Sequence, residues 1–77
     1  MPRGKPSQWH VDVGARLRER RRVLGWSMAE VAKDLDVSWQ MYARYENGTA
    51  RLPADAAVTL GDLFGMDLLV LLGVRQK

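Results

Sequence analysis

The sequence predicts an all-α domain of five short helices, and three observations carry that prediction. Apolar residues recur at helical spacing in segments that end at glycines, serines stand where helix N-caps are needed, and nothing in the chain reads as a strand. At 77 residues the chain is one compact domain with a single small core. It lies near the size at which stability draws on idealised helices or a second subunit.

Residues 1–8 hold two prolines, a glycine, Arg3 and Lys5 without an apolar period, so they are expected to form an arm outside a folded domain spanning 9–77. Such an arm is either a disordered terminus or a basic strap laid along a groove. A first helix is expected from about Asp12 to Leu24, with Val13, Leu17 and Leu24 on one side and Gly25 ending it. Arg16, Arg18, Arg20 and Arg22 fall largely elsewhere and suit either a solvated face or nearby phosphates.

Ser27-Met-Ala-Glu30 has the spacing of a capping box, in which the serine oxygen and the glutamate carboxylate each satisfy an open backbone N–H. A second helix therefore starts near Met28, turns Val31, Ala32 and Leu35 inward, and stops at Asp36, a residue type that tolerates the left-handed conformation. After Val37, Ser38 caps a third helix that begins near Trp39 and ends at Gly48. Two short helices joined by about three residues, the second capped and amphipathic, make a helix-turn-helix. Pro53 suits the first turn of a fourth helix, along which Ala57, Leu60, Leu63 and Phe64 repeat until Gly65. Asp67 then caps a last helix, Leu68 to Leu72, ended by Gly73.

The third helix reads as a recognition element. With Tyr42 taken as the buried direction and about 100° per residue, Ser38, Tyr45 and Glu46 lie within about 60° of it, and Gln40, Arg44 and Asn47 within about 40° of the opposite pole. Two amides and a guanidinium on one face are groups that pair with purine edges or hold phosphates. On an isolated helix the same pattern would be a solvated polar face.

Composition narrows the function classes. The chain has no cysteine and one histidine, His10, so neither a disulfide framework nor a zinc site is expected, and no other cofactor or metal is implied. The longest apolar run, Leu68 to Leu72, is too short to span a bilayer, and no apolar leader follows the basic start, so a soluble, cytoplasmic protein without a membrane partner is expected. Residues 1–53 carry ten basic against six acidic residues, and 54–77 two against three. That asymmetry suggests one side facing a polyanion and one side for packing. No spacing sets a nucleophile beside a base and no glycine-rich phosphate loop appears, so an enzyme is not expected.

Val13-Gly14, Leu17-Arg18, Gly25-Trp26-Ser27, Val31-Ala32, Val37-Ser38 and Tyr45-Glu46-Asn47-Gly48 followed by Pro53 together resemble the phage Cro/repressor, or XRE-type, helix-turn-helix domains over roughly residues 13 to 73. The resemblance implies a lambda-repressor-like five-helix domain that binds duplex DNA as a homodimer on a pseudo-palindromic operator. It implies base reading by Trp39, Gln40 and Arg44 with Met41 and Ala43 flanking, and phosphate contacts at Met28, Asn47, Thr49 and Arg51. Arg21 would pair with Glu46 as a structural tie. Trp39 would either touch a thymine methyl or cover the junction of the second and third helices. The chain departs from the family's pattern at Met28, where a phosphate-gripping glutamine is usual, at Asp36 for the turn glycine, and at Leu69 and Val70 for polar residues.

The apolar run cannot turn every side chain to one core, because five successive residues at about 100° each exceed a full turn. Leu68, Leu69, Val70 and Leu72 are therefore the expected homodimer surface, unless Trp9 and the N-terminal segment cover it. With no room for a small-molecule effector domain, the expected protein is a free-standing repressor or autoregulator. An interaction module that kept the fold and lost DNA binding is the alternative, favoured by Met28 and Trp39.

Overall fold

Side-chain caps start three of the helices, and left-handed residues at Gly25, Asp36, Gly48 and Gly65 end four, each dealing with backbone groups that a helix cannot pair internally. A computed structural model describes residues 8–74. These form α1 (Gln8–Leu24), α2 (Met28–Leu35), α3 (Trp39–Asn47), α4 (Ala54–Phe64) and α5 (Leu68–Leu71), with no strand among the described residues. At α2 the Ser27 hydroxyl accepts from the Glu30 N–H at 3.1 Å, and the Glu30 carboxylate accepts from the Ser27 N–H at 2.8 Å. Ser38 caps α3 by accepting from the Met41 N–H at 3.1 Å, and Asp67 caps α5 by accepting from the Leu69 N–H at 2.8 Å. Asp36 ends α2 at φ 60°, the one non-glycine left-handed residue among those described.

One core joins all five helices. Leu17, Val31, Tyr42, Leu60 and Leu71, one from each, are fully buried, and Val13, Ala32, Tyr45, Ala57 and Phe64 complete the buried apolar set. Trp26, in the α1–α2 turn, packs on Phe64 with ring centroids 5.8 Å apart. Leu24, Leu35 and Leu63, expected inward, are half-buried at the margin of this core.

α1 is the hub. It packs most closely on α3 and also touches α4 and α5. Gly14 lies so near the end of α3 that a Cβ there would stand 2.2 Å from the Glu46 carbonyl oxygen, and the Gly48 α-hydrogen position faces the Val11 backbone, 2.5 Å from where a Cβ would sit. No larger residue at either position fits this crossing.

The arginine run departs from both readings made of it above. Arg18 donates to the Glu46 carbonyl at 3.4 Å, Arg20 to the Phe64 carbonyl at 2.9 Å and Arg16 to the Leu71 carbonyl at 3.5 Å. These are the C-terminal carbonyls of α3, α4 and α5, where unpaired oxygens and the negative end of the helix dipole favour a cation. The run is thus neither a merely solvated face nor a free phosphate-binding row, with Arg22 the exposed exception.

Three boundaries also shift. α1 begins at Gln8 instead of Asp12, because Gln8 donates to Asp12 at 3.0 Å and the Trp9 indole N–H donates to the Leu72 carbonyl at 2.8 Å, anchoring a first turn that has no apolar period. Gln8 is therefore helical, and the rest of the expected arm lies outside the described residues. Pro53 is the N-cap of α4, one residue before the first turn, and α5 closes at Leu71 with Leu72 as its C-cap.

Candidate nucleic-acid interface

α3 is built to be held by one face and to leave the other open. Its inner side chains are nearly solvent-free: Tyr42 is 0% exposed and Glu46 1%. A buried carboxylate on a surface helix requires a partner, and α1 supplies it. The Arg21 guanidinium forms a forked ion pair with Glu46, Nε to Oε2 at 2.6 Å and Nη2 to Oε1 at 3.0 Å. Its remaining Nη1 donates to the Trp26 carbonyl at 3.0 Å, and Arg18 Nε lies 3.7 Å from Glu46 Oε1. Hydrogen bonding to Glu46 holds the Arg21 guanidinium above its ordinary range and so firmly charged. The Tyr42 hydroxyl is buried close by, without a hydrogen bond among the described residues, and burial, with the Glu46 carboxylate adding to it, pushes the phenol up so that it stays protonated. The Arg21–Glu46 tie fixes the rotation of α3 about its axis.

That rotation exposes Gln40, Arg44 and Asn47 together, followed by exposed Thr49 and Arg51 after Gly48. Three of these side chains are already held by hydrogen bonds. Arg44 Nη2 donates to the Thr49 carbonyl at 3.1 Å while the Thr49 hydroxyl donates to the Arg44 carbonyl at 3.4 Å. Asn47 accepts from Arg18 at 2.9 Å through its amide oxygen, which leaves its NH2 group to donate outward. Gln40 is free in solvent at the open end of the row. Met41 and Ala43 are half-buried on either flank.

Two side chains sit differently from their place in the sequence pattern. Ser38, phased toward the core, is exposed and serves as the N-cap of α3, outside the helical turns to which that phase applies. Met28 packs its thioether side chain against the core, so only its backbone N–H, at the open N-terminus of α2, is available to a phosphate. Sequence reasoning missed the supporting roles of Gly14 and Arg18. The glycine inside a helix pattern was the available signal for Gly14, since a costly residue at a helix interior marks a close approach.

The α5 surface is mixed. Leu69 is 37% exposed, Leu68, Val70 and Leu72 are half-buried, and Val70 lines an open groove of about 550 Å³ with Ala15, Val23, Met66 and the charged Arg16, Glu19, Arg20 and Asp67. Among the described residues no group of three or more His, Asp or Glu is placed to hold a metal ion, and no helix is long and apolar enough to cross a membrane.

Comparison with known proteins places this geometry. A family model described as a helix-turn-helix domain matches residues 12–72. Uncharacterised HTH-type transcriptional regulators of Sinorhizobium medicae and Rhizobium meliloti are each 31% identical over 62 residues, covering 80% of this chain and 45% of theirs. The chain thus spans less than half the length of these relatives. Among solved structures, the restriction-modification controller protein C.AhdI from Aeromonas hydrophila superposes with a TM-score of 0.77 at 22% identity, covering 84% of this chain and 98% of its own. The clp gene regulator ClgR from C. glutamicum gives a TM-score of 0.77 at 21% identity, covering 86% of each chain, and the DNA-binding domain of BldD 0.72 at 24%, covering 84% of this chain and 94% of its own.

Proposed function

The chain belongs to the helix-turn-helix domain family, and from that premise we propose that it is a sequence-specific duplex DNA-binding regulator of transcription, acting as a repressor or autoregulator in the cytoplasm. One observation carries the reading. The ion pair with Arg21 turns Glu46 and Tyr42 inward, so that Gln40, Arg44 and Asn47 stand together on the solvent side of α3, with Thr49 and Arg51 continuing the row. Gln40 and Arg44, one turn apart, read neighbouring base edges in the major groove. Asn47, Thr49, Arg51 and the Met28 N–H hold phosphates. This is binding chemistry, and neither an enzymatic role nor a cofactor is part of the proposal. The test is titration of labelled duplexes, one chosen by selection from random DNA and one random. Preference for the selected duplex is expected, with affinity falling by orders of magnitude from about 50 to 200 mM salt if about six phosphates are neutralised. No binding at low salt would favour the interaction module that the core-facing Met28 side chain suggests.

The protein acts as a two-fold homodimer through α5, the reading supported by the exposure of Leu69 and the half-burial of Leu68, Val70 and Leu72 on a helix phased as though it were all interior. Among the described residues, the Trp9 indole meets the Leu72 carbonyl at the end of this surface. Two copies joined there would present recognition helices about 34 Å apart, one turn of DNA, to a pseudo-palindromic site. Sedimentation of wild type against Leu69→Glu/Val70→Lys checks this: a monomeric wild type, or a variant that still dimerises, moves the interface elsewhere.

A further inference from the structure

Trp39, 55% exposed at the start of α3, and Gln40 and Arg44 after it belong to the base-reading surface already expected of this helix. The C-terminal end of α3 raises a separate question. Its backbone turns its donors inward: the Gly48 N–H is spent on the Tyr45 carbonyl at 3.2 Å and the Thr49 N–H on the Arg44 carbonyl at 3.0 Å. What a helix presents at this end is carbonyl oxygen at the negative pole of its dipole, so an anion is disfavoured there unless side chains supply the donors. Asn47, exposed and last in α3, is placed to supply one.

A carboxamide is an ambiguous group for that task. Its oxygen and its NH2 group are alike in size, and a half-turn of the amide replaces an outward donor by an outward acceptor that repels a phosphate. Solvent alone favours neither orientation. Here a neighbour on another helix decides. Arg18 Nη2 lies 2.9 Å from Asn47 Oδ1, and because a guanidinium has donors only, the reversed amide would set NH2 against a cation's N–H. Arg18 is itself held in place, since Nη2 also donates to the Glu46 carbonyl at 3.4 Å and Nε lies 3.7 Å from the buried Glu46 carboxylate.

We infer that Arg18 is a positioning residue for phosphate binding: it locks the Asn47 amide with its NH2 group outward and touches no phosphate itself. The inference rests on the DNA-binding reading above and extends it to a side chain of α1, outside the helix-turn-helix. Its worth follows from counting states. A released Asn47 has two amide orientations and two favoured χ1 wells on a helix, so about one conformer in four presents the donor and apparent affinity falls about fourfold.

The test is a double-mutant cycle on DNA affinity with the full chain, using wild type, Arg18→Met, Asn47→Ala and the doubly substituted protein on a selected and a random duplex. Asn47→Ala is expected to weaken binding to both duplexes about tenfold, the worth of one hydrogen bond to a charged group. Arg18→Met is expected to cost about fourfold more with Asn47 in place than in the Asn47→Ala background, while the general effect of the lost charge is common to both backgrounds and cancels. Arg18→Lys, still a donor-only cation, is expected to bind more tightly than Arg18→Met only while Asn47 is present to be oriented, beyond that common charge effect. Equal losses in the two backgrounds overturn the inference, and are what a direct contact of Arg18 with phosphate, or a purely structural role, would give. An Asn47→Ala protein that binds as tightly as wild type overturns it as well, and that result needs no Arg18 variant to fold. In either case a wild-type preference for the selected duplex shows that the DNA-binding reading survives, whereas equal binding of selected and random duplexes overturns both.

Discussion

Replacing Gly14 by alanine tests the α1–α3 crossing by sign as well as size. Inside an isolated helix, glycine to alanine is stabilising by about 1 kcal/mol, since alanine loses less backbone entropy. Here the added methyl would stand 2.2 Å from the Glu46 carbonyl oxygen, 2.5 Å from that of Tyr45 and 2.7 Å from the Glu46 carbonyl carbon. Ordinary carbon contacts lie at about 3.5 Å or more, so the helices must separate by about an ångström. The end of α3 has little freedom to do so, being fixed by Arg21 through Glu46 and by Gly48 against Val11. Overpacking of this kind costs about 3 kcal/mol at the upper end of its usual range. Subtracting the propensity gain leaves a net loss of about 2 kcal/mol, equivalent to a Tm lower by about 8–16 °C in a domain of this size. Gly61, inside α4, supplies the matched control, because a Cβ there meets the Met66 carbonyl oxygen at 3.4 Å and the Leu68 Cα at 4.0 Å, both within ordinary van der Waals contact. Gly61→Ala should therefore raise Tm by about 4 °C or more. Thermal and urea unfolding followed by circular dichroism measures both. If Gly14→Ala proved as stable as wild type, or moved in the same direction as Gly61→Ala, the close crossing would be wrong.

The Arg21–Glu46 pair should behave as a buried unit: removing either partner is expected to cost up to about 3–5 kcal/mol, and a double-mutant cycle on unfolding free energy should show strong coupling, with strictly additive losses arguing against the tie. Gln40→Ala should lose about 1–3 kcal/mol on the preferred duplex and relax preference at one position, while Arg51→Ala should weaken binding to every duplex alike and lower the salt slope by about one phosphate; identical profiles for the two variants would contradict the division into base-reading and phosphate-holding residues. Glu30 is held below its ordinary carboxylate range by the N–H of Ser27, so the stability it adds is present above about pH 4.5 and is lost as pH falls through the lowered value. Stability of wild type relative to Glu30→Gln should therefore shrink on acidification, and a difference that stayed constant or grew would contradict the capping role.

Much of α2 and α3 is legible in the sequence because their signals are local. Ser27 and Glu30, Ser38 and Met41, and the turn at Asp36 act within three residues of one another, and short-range spacing is what a sequence displays. With Tyr42 as the buried direction, the inward phase of Tyr45 and Glu46 follows from a 3.6-residue period. The first turn of α1 is held by a bond from Trp9 to a carbonyl 63 residues away, and Arg16 and Arg20 reach across 55 and 44 residues. No periodicity encodes such partners. Trp39 was ambiguous for a related reason: phase specifies the direction of a side chain from the helix axis, and burial also depends on whether a neighbouring helix extends that far.

The bond from Trp9 to Leu72 joins the two pieces of the fold with the least internal support. α5 has four residues, too few for a helix to persist alone, and the first turn of α1 lacks an apolar face of its own. Trp9 and Arg16 hold the last carbonyls of α5, and the indole of Trp9 has its acceptor only while α5 is wound. The expected outcome is that the two pieces open together: in a hydrogen-exchange measurement the amides of α5 and of the first turn of α1 should exchange at a shared rate, while those of α3, tied separately through Glu46, should stay protected in the same opened state.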